Sequence, residues 1–282
     1  MRLSSLAAFL LLAACGGPSA PPASAVSAAR APAPPASEAE LRSLLSLPHR
    51  SGENRARDRY RHPVETLAFF GAAPDMKLVE IWPGGGWYTE LLAPLVRDRG
   101  RLIAATMDPA DHTFRGRFAR EYAAKLAATP EVYGRVERVV LFPPDHFEIA
   151  PDGSQDMVLT FRSLHNWIRW GGYEQQVFDA MARCLKRSGV LGVVEHRAPD
   201  GSDPRVTAEQ GYVSEAYTIE LARRAGLRLD RRSEINANPA DTHEHPDGVW
   251  SLPPTLRGGD TNRDAFLAIG ESDRMTLRFV KD

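Results

Sequence analysis

From Lys77 onward, short apolar runs alternate with segments whose apolar residues recur at helical spacing. That alternation commits a chain to a wound α/β sheet, because each parallel strand needs a helical crossover before the next. The strand candidates are 78–82, 101–106, 138–142, 157–161 and 190–195. Between them, Tyr88, Leu91, Leu92 and Leu95 mark one helical face, Phe114, Phe118 and Tyr122 a second, and Tyr173, Val177, Met181 and Leu185 a third. Tyr217, Leu221 and Ala225 mark a helix that stops at Gly226, Leu227 and Leu229 alternate as a strand, and Met275, Leu277 and Phe279 close the chain as another. Ahead of this pattern, Ser37 with Glu40 forms a capping box opening a short helix, and Pro63 starts a second helix that ends at Gly71. Arg55, Arg57, Asp58, Arg59, Tyr60 and Arg61 between them read as a solvated polar run, one that also precedes the candidate nucleotide site. The Pro- and Gly-rich stretch 236–262 is an insertion of the functional or mobile kind.

The 282 residues carry 35 Lys and Arg against 36 Asp and Glu, well mixed, so no charge field invites a nucleic acid, and none is expected as a partner. Protein partners leave no trace in the sequence. The N-terminus is more informative: Met1-Arg2 is followed by an apolar run at 3–12, too short to span a bilayer. It ends in Leu12-Ala13-Ala14-Cys15, which resembles the lipobox of bacterial lipoprotein precursors. The resemblance implies cleavage before Cys15, acylation of its new N-terminus, and attachment to a membrane through that lipid. Gly16 stands where an Asp would resemble an inner-membrane retention signal, so a periplasm-facing lipoprotein of the outer membrane is expected. The expected division is a signal peptide at 1–14, a Pro/Ala-rich tether at 15–36 and one domain at 37–282. Cys184 is then without a disulfide partner and reads as a buried helix residue.

The segment from Lys77 to Leu92 places an acidic residue late in a strand, then three glycines, then an amphipathic helix. Glycines let backbone approach a ligand, and a carboxylate at the strand end suits a cationic or hydroxyl-rich ligand better than a pyrophosphate. Here the sequence resembles the class I S-adenosylmethionine-dependent methyltransferases, over about 60–282. The resemblance implies a Rossmann-like sheet of about seven strands flanked by helices, and S-adenosylmethionine as cofactor. It puts Glu80 at the acidic position and Gly84 and Gly86 at the later glycines, with Pro83, Gly85 and Thr89 in the same turn; Trp82 stands where the family commonly has its first glycine. Thr106, with Asp108 two residues on, falls where the family binds the ribose hydroxyls, and Asp145 where it faces the adenine.

His165 follows the fourth strand at the sheet's ligand-binding edge, where a neutral imidazole can take a proton from a methyl acceptor. Asn166, Trp167 and His196, at the same edge, are candidates for substrate contact. Arg162 has two readings, orienting an acidic substrate or solvating the rim. His243, Glu244 and His245 lack the fixed geometry of a metal site, so no metal is expected. The leading expectation is methyl transfer to a small molecule. The alternative is a protein that keeps the fold with altered chemistry, binding S-adenosylmethionine or a nucleoside, or engaging another envelope component.

Overall fold

The computed structural model describes residues 34–282, so the expected signal peptide, Cys15 and nearly all of the tether lie outside the described residues. Eight strands are present: β1 (Lys77–Ile81), β2 (Arg101–Thr106), β3 (Glu137–Val140), β4 (Gln155–Phe161), β5 (Leu185–Ala198), β6 (Val213–Ser214), β7 (Leu227–Ser233) and β8 (Arg274–Lys281). The main sheet runs β3-β2-β1-β4-β5-β8-β7, and the short β6 pairs with the end of β5. The first five strands are parallel, and β8 lies antiparallel between β5 and β7. Strand order reverses beside β1: β2 and β3 lie on one side, β4 and β5 on the other. That leaves a crevice beyond the carboxyl ends of β1 and β4, the ligand position of open α/β sheets.

The central strands are buried on both faces, which is why they read as largely apolar runs, with Glu80 a buried exception in β1. One face packs on Phe70, Leu91, Leu92 and Tyr122, the other on Trp167, Val177, Phe178 and Met181. Cys184 is buried among the latter, and burial pushes its thiol up to about 12, as befits a core residue. At the N-terminal side, helix Glu38–Leu44 carries the reciprocal Ser37–Glu40 capping box. Ala36 is already seated, with its N–H bonded to Ala72 O at 2.9 Å, so packing starts just inside the expected tether. Helix Pro63–Phe70 has Pro in its first turn and closes on left-handed Gly71.

Two expectations change. Helix Phe114–Ala128 turns Gly116, Ala119, Tyr122 and Leu126 inward, leaving Phe114 and Phe118 exposed at 47% and 42%. The 236–262 insertion is packed as far as Leu252, with Asn236, Asp241, Ser251 and Leu252 buried, and exposed over 257–262. Gly248 anchors it, since a Cβ there would lie 2.2 Å from Gln210 O at a φ of 55°. The insertion folds over the carboxyl edge of the sheet, and helix Arg263–Ile269 follows it.

Candidate active site

β1 ends in Trp82-Pro83-Gly84-Gly85-Gly86, leading into helix Thr89–Val96. Gly84 and Gly86 hold φ values of 57° and 74°, in the left-handed region that glycine tolerates. A Cβ on Gly84 or Gly85 would meet nothing within 4 Å, so this backbone borders open space; on Gly86 it would lie 3.0 Å from the Tyr122 ring. Lys125 ties the turn from behind, its Nζ donating to Gly85 O at 2.8 Å and to the Glu90 carboxylate at 2.7 Å. Glu80, 1% exposed, accepts the Thr89 hydroxyl at 2.6 Å. Burial pushes its carboxyl up to about 7, against the pull of Thr89, Lys125 and Arg162.

A cavity of about 840 Å³ opens over this turn. Trp82, Phe114, Phe118, Trp170 and Trp250 give it an apolar wall, and the insertion closes it with Val249, Pro253, Pro254, Thr255 and Arg257. Trp250 is held between the guanidinium groups of Arg169 and Arg257, 4.6 and 4.8 Å from its ring centre. Glu80, Gly84, Gly85, Arg162, His165, Asn166 and His196 all line it.

His165, 4% exposed, has Nδ1 3.0 Å from Glu195 Oε1. A carboxylate only accepts, so Nδ1 carries the proton and Nε2 of the neutral ring keeps its lone pair. Glu195 is itself fixed, accepting the N–H of Leu164 at 2.6 Å and that of His196 at 2.9 Å. The His196 ring lies beside His165, at 5.4 Å between centres, and its Nδ1 is 2.5 Å from Ser272 Oγ. Burial, then the nearby His165 and arginines, holds the His196 imidazole well below its ordinary value, so it is neutral at physiological pH. His165, Glu195 and His196 offer ligand atoms within 4.8 Å of one another. Both Glu195 oxygens are already engaged, however, and Arg61, Arg162 and Arg274 oppose a further cation there.

A cluster of arginines forms the rest of the wall. Arg57 Nε donates to Glu271 Oε1 at 2.7 Å, Arg61 Nε to Oε2 at 3.1 Å, and Arg274 Nη1 to Oε2 at 2.9 Å. Burial raises Glu271, but Arg61, Arg274, Arg57 and Arg162 together hold its carboxyl down to about 2. Arg61 also lies 4.7 Å over the Trp87 ring.

No family model and no curated protein matches the chain. Solved structures do. A SAM-dependent methyltransferase from Aquifex aeolicus superposes with a TM-score of 0.50 at 18% identity, covering 71% of this chain and 93% of that one. The [4+2]-cyclase SpnF gives 0.55 at 15% identity, covering 89% and 97%. NcsB1, an O-methyltransferase from neocarzinostatin biosynthesis solved with S-adenosylmethionine and 2-hydroxy-5-methyl naphthoic acid, gives 0.51 at 16%, covering 82% and 55%. The chain has the class I methyltransferase fold. The cyclase among these neighbours shows that this fold does not fix the reaction.

On this methyltransferase fold, Glu80, Pro83, Gly84, Gly85, Arg162, His165, Asn166 and His196 all reach the cavity. Gly86 and Thr89 stand behind it, Gly86 packed on Tyr122 and Thr89 holding Glu80. Three other residues expected at the cofactor do not line it. The Thr106 hydroxyl is turned toward Val139 O of β3 at 3.3 Å, and the Asp108 carboxylate accepts the N–H of Ala110 at 2.8 Å within its own turn; Met107 faces the cavity instead. Asp145 is exposed in the turn whose ends pair at Phe142 and His146. Trp167 is likewise a core residue, packed on Phe178 and Trp82 at the back of the wall.

Trp82 shows how a bulky residue takes the family's glycine position. Its φ of 45° is left-handed, and its indole folds back to donate from Nε1 to Leu141 O at 2.8 Å. Burial of the ring against Trp167 and Trp170 offsets backbone strain of about 1–3 kcal/mol. His243 and His245 face Asp273 and Asp241 instead of each other. Arg57, Arg61, Glu195, Trp250, Arg257, Glu271 and Ser272 join the site without a local sequence signal. Only the position of Arg57 and Arg61 just ahead of the glycine turn pointed toward it.

Proposed function

We propose that this protein is an S-adenosylmethionine-dependent methyltransferase acting on a small molecule, anchored by lipid on Cys15 at a periplasm-facing membrane surface. One observation carries the catalytic part: the glycine turn with Glu80 and the Glu195-oriented His165 line the same cavity. The cradle fits the cofactor, since open space lies above Gly84 and Gly85 where a side chain would intrude, and a buried carboxyl faces it at Glu80. When bound, S-adenosylmethionine supplies a methyl group already activated on a sulfonium. Glu80 would accept hydrogen bonds from its ammonium or hydroxyl groups, and the Gly84-Gly85 backbone would lie against it.

The chain's own contribution is placement, exclusion of water and one proton. The Trp82, Trp170 and Trp250 wall covers the cavity, so an acceptor is held close and partly dry. His165 Nε2 would take the proton that leaves a hydroxyl, amine or thiol acceptor as its new bond to carbon forms. Glu195 keeps the imidazole in the required tautomer and steadies the imidazolium. S-adenosylhomocysteine and a methylated acceptor are the products.

The test is single-turnover transfer from methyl-labelled S-adenosylmethionine to a panel of small acceptors, in wild type and His165→Asn. Labelled product formed with equal S-adenosylhomocysteine supports the proposal, with a fall of about a hundredfold in the variant. Donor that binds while no acceptor is methylated counts against it.

A further inference from the structure

The net charge of the whole chain is −1, yet its cavity is strongly basic. Arg57, Arg61, Arg162, Arg169 and Arg257 line it, against Glu80 and Glu271. Arg169 is paired with Glu209, and Glu271 is shared by Arg57, Arg61 and Arg274. The remaining charge is unanswered. Among the described residues, the guanidinium groups of Arg162 and Arg257 make no hydrogen bond or ion pair. Nη1 of Arg61, a residue 3% exposed, is also without a partner.

Arg162 is central to this cluster. It leaves β4 at a left-handed φ of 58°, its N–H bonded to Val194 O at 2.7 Å, three residues before His165. Its charge is felt by Glu80 and Tyr88 as well as by His196, Arg61 and Glu271. S-adenosylmethionine brings a sulfonium, an ammonium and one carboxylate, a net positive charge, so it supplies a counter-charge to at most one of these guanidinium groups. A second, anionic ligand answers the rest.

Resting on the methyltransferase reading above, we infer that the acceptor carries a compact oxyanion, a carboxylate or phosphate, on an apolar body. Arg162 receives that oxyanion, with Arg61 lining the same cavity. The guanidinium fork suits the planar, two-oxygen geometry of such groups. The body rests on the Trp82, Trp170 and Trp250 wall, and Arg257, stacked on Trp250 with no acidic partner among the described residues, keeps the insertion side of the cavity positive.

Calorimetric titration of the purified protein with benzoate, phenyl phosphate, neutral benzamide and cationic benzylamine tests this directly, with and without saturating S-adenosylmethionine. One or both anions should bind at least about tenfold more tightly than benzamide, and benzylamine more weakly still. The comparison of benzoate with phenyl phosphate tells which oxyanion is preferred. Arg162→Gln should weaken the preferred anion by at least about tenfold, with Arg162→Lys intermediate, while S-adenosylmethionine affinity stays within about threefold. Equal binding of benzoate, phenyl phosphate and benzamide overturns the inference. So does anion binding unchanged in Arg162→Gln, or anion binding that S-adenosylmethionine abolishes while the variant loses S-adenosylmethionine too. That last result would mean the arginines hold the donor's own carboxylate. Should Arg162→Gln fail to give a cooperative melt, the wild-type charge series decides alone. Arg162-dependent anion binding by a protein that never binds S-adenosylmethionine would sustain the oxyanion site and remove the methyltransferase reading.

Discussion

On the proposed function, Glu80 should make S-adenosylmethionine binding pH-dependent in a way that follows from its burial. In the free protein its carboxyl titrates near 7, against an ordinary 4.5, because burial penalises the charge more than Thr89, Lys125 and Arg162 stabilise it. A ligand with ammonium and hydroxyl groups favours the ionised form. If only that form binds, apparent affinity follows its population, from about one part in eleven at about pH 6 to about ten in eleven at about pH 8. The gain is about tenfold, or about 1.4 kcal/mol. His196, elsewhere in the cavity wall, adds nothing in this window, being held neutral by burial. Calorimetric titrations of S-adenosylmethionine at several pH values should show this rise, and Glu80→Gln should flatten it at an affinity near the wild-type value at low pH. The free protein should behave oppositely. With the folded carboxyl raised, Glu80's contribution to stability is complete below 4.5 and lost as pH rises through about 7. A wild-type affinity that does not change across this range, or a slope that survives in Glu80→Gln, would refute the reasoning.

Further expectations follow from the same geometry. Glu195→Gln presents an amide N–H where an oxygen now accepts from Leu164, His165 or His196, so turnover should fall by about a hundredfold. Thermal melts should show a loss of about 1–3 kcal/mol, and titration an unchanged donor affinity. Gly248→Ala would drive a Cβ to 2.2 Å from Gln210 O and displace the short 3-10 helix Gly248–Ser251 that carries Trp250. Its tryptophan fluorescence should shift, and KM for the acceptor should rise more than that for the donor. Cys15→Ser should abolish lipid labelling and release the protein from the membrane fraction; unchanged labelling would rule out the lipobox.

The sheet was legible because its central strands are buried on both faces and are therefore mostly apolar, with Glu80 an exception. The glycine turn was legible because strand, turn and helix come in one continuous segment. Side-chain direction was not, since it depends on register with a neighbouring strand. Thr106 sits at the end of β2 as expected, yet its hydroxyl points to β3. The Phe114–Phe118 pair has helical spacing like a core stripe, but the face that packs is set by Ala119, Tyr122 and Leu126. The basic wall was hidden for another reason. Arg57 and Arg61 meet Glu271 across more than 200 residues, and as a local sequence they look like any solvated run. The 236–262 insertion similarly owes its order to contacts such as Gly248 on Gln210, which composition does not show.

The most direct measurement is calorimetric titration of S-adenosylmethionine and S-adenosylhomocysteine into the wild-type protein and Gly84→Val. At Gly84 the φ of 57° already disfavours a side chain, and a branched one would occupy the open space above the turn. One site per chain in the wild type, with affinity reduced at least about tenfold in a variant that still melts cooperatively, is the expected result. No binding of either compound to the wild type, or equal binding by the folded variant, would contradict the assignment of this cavity.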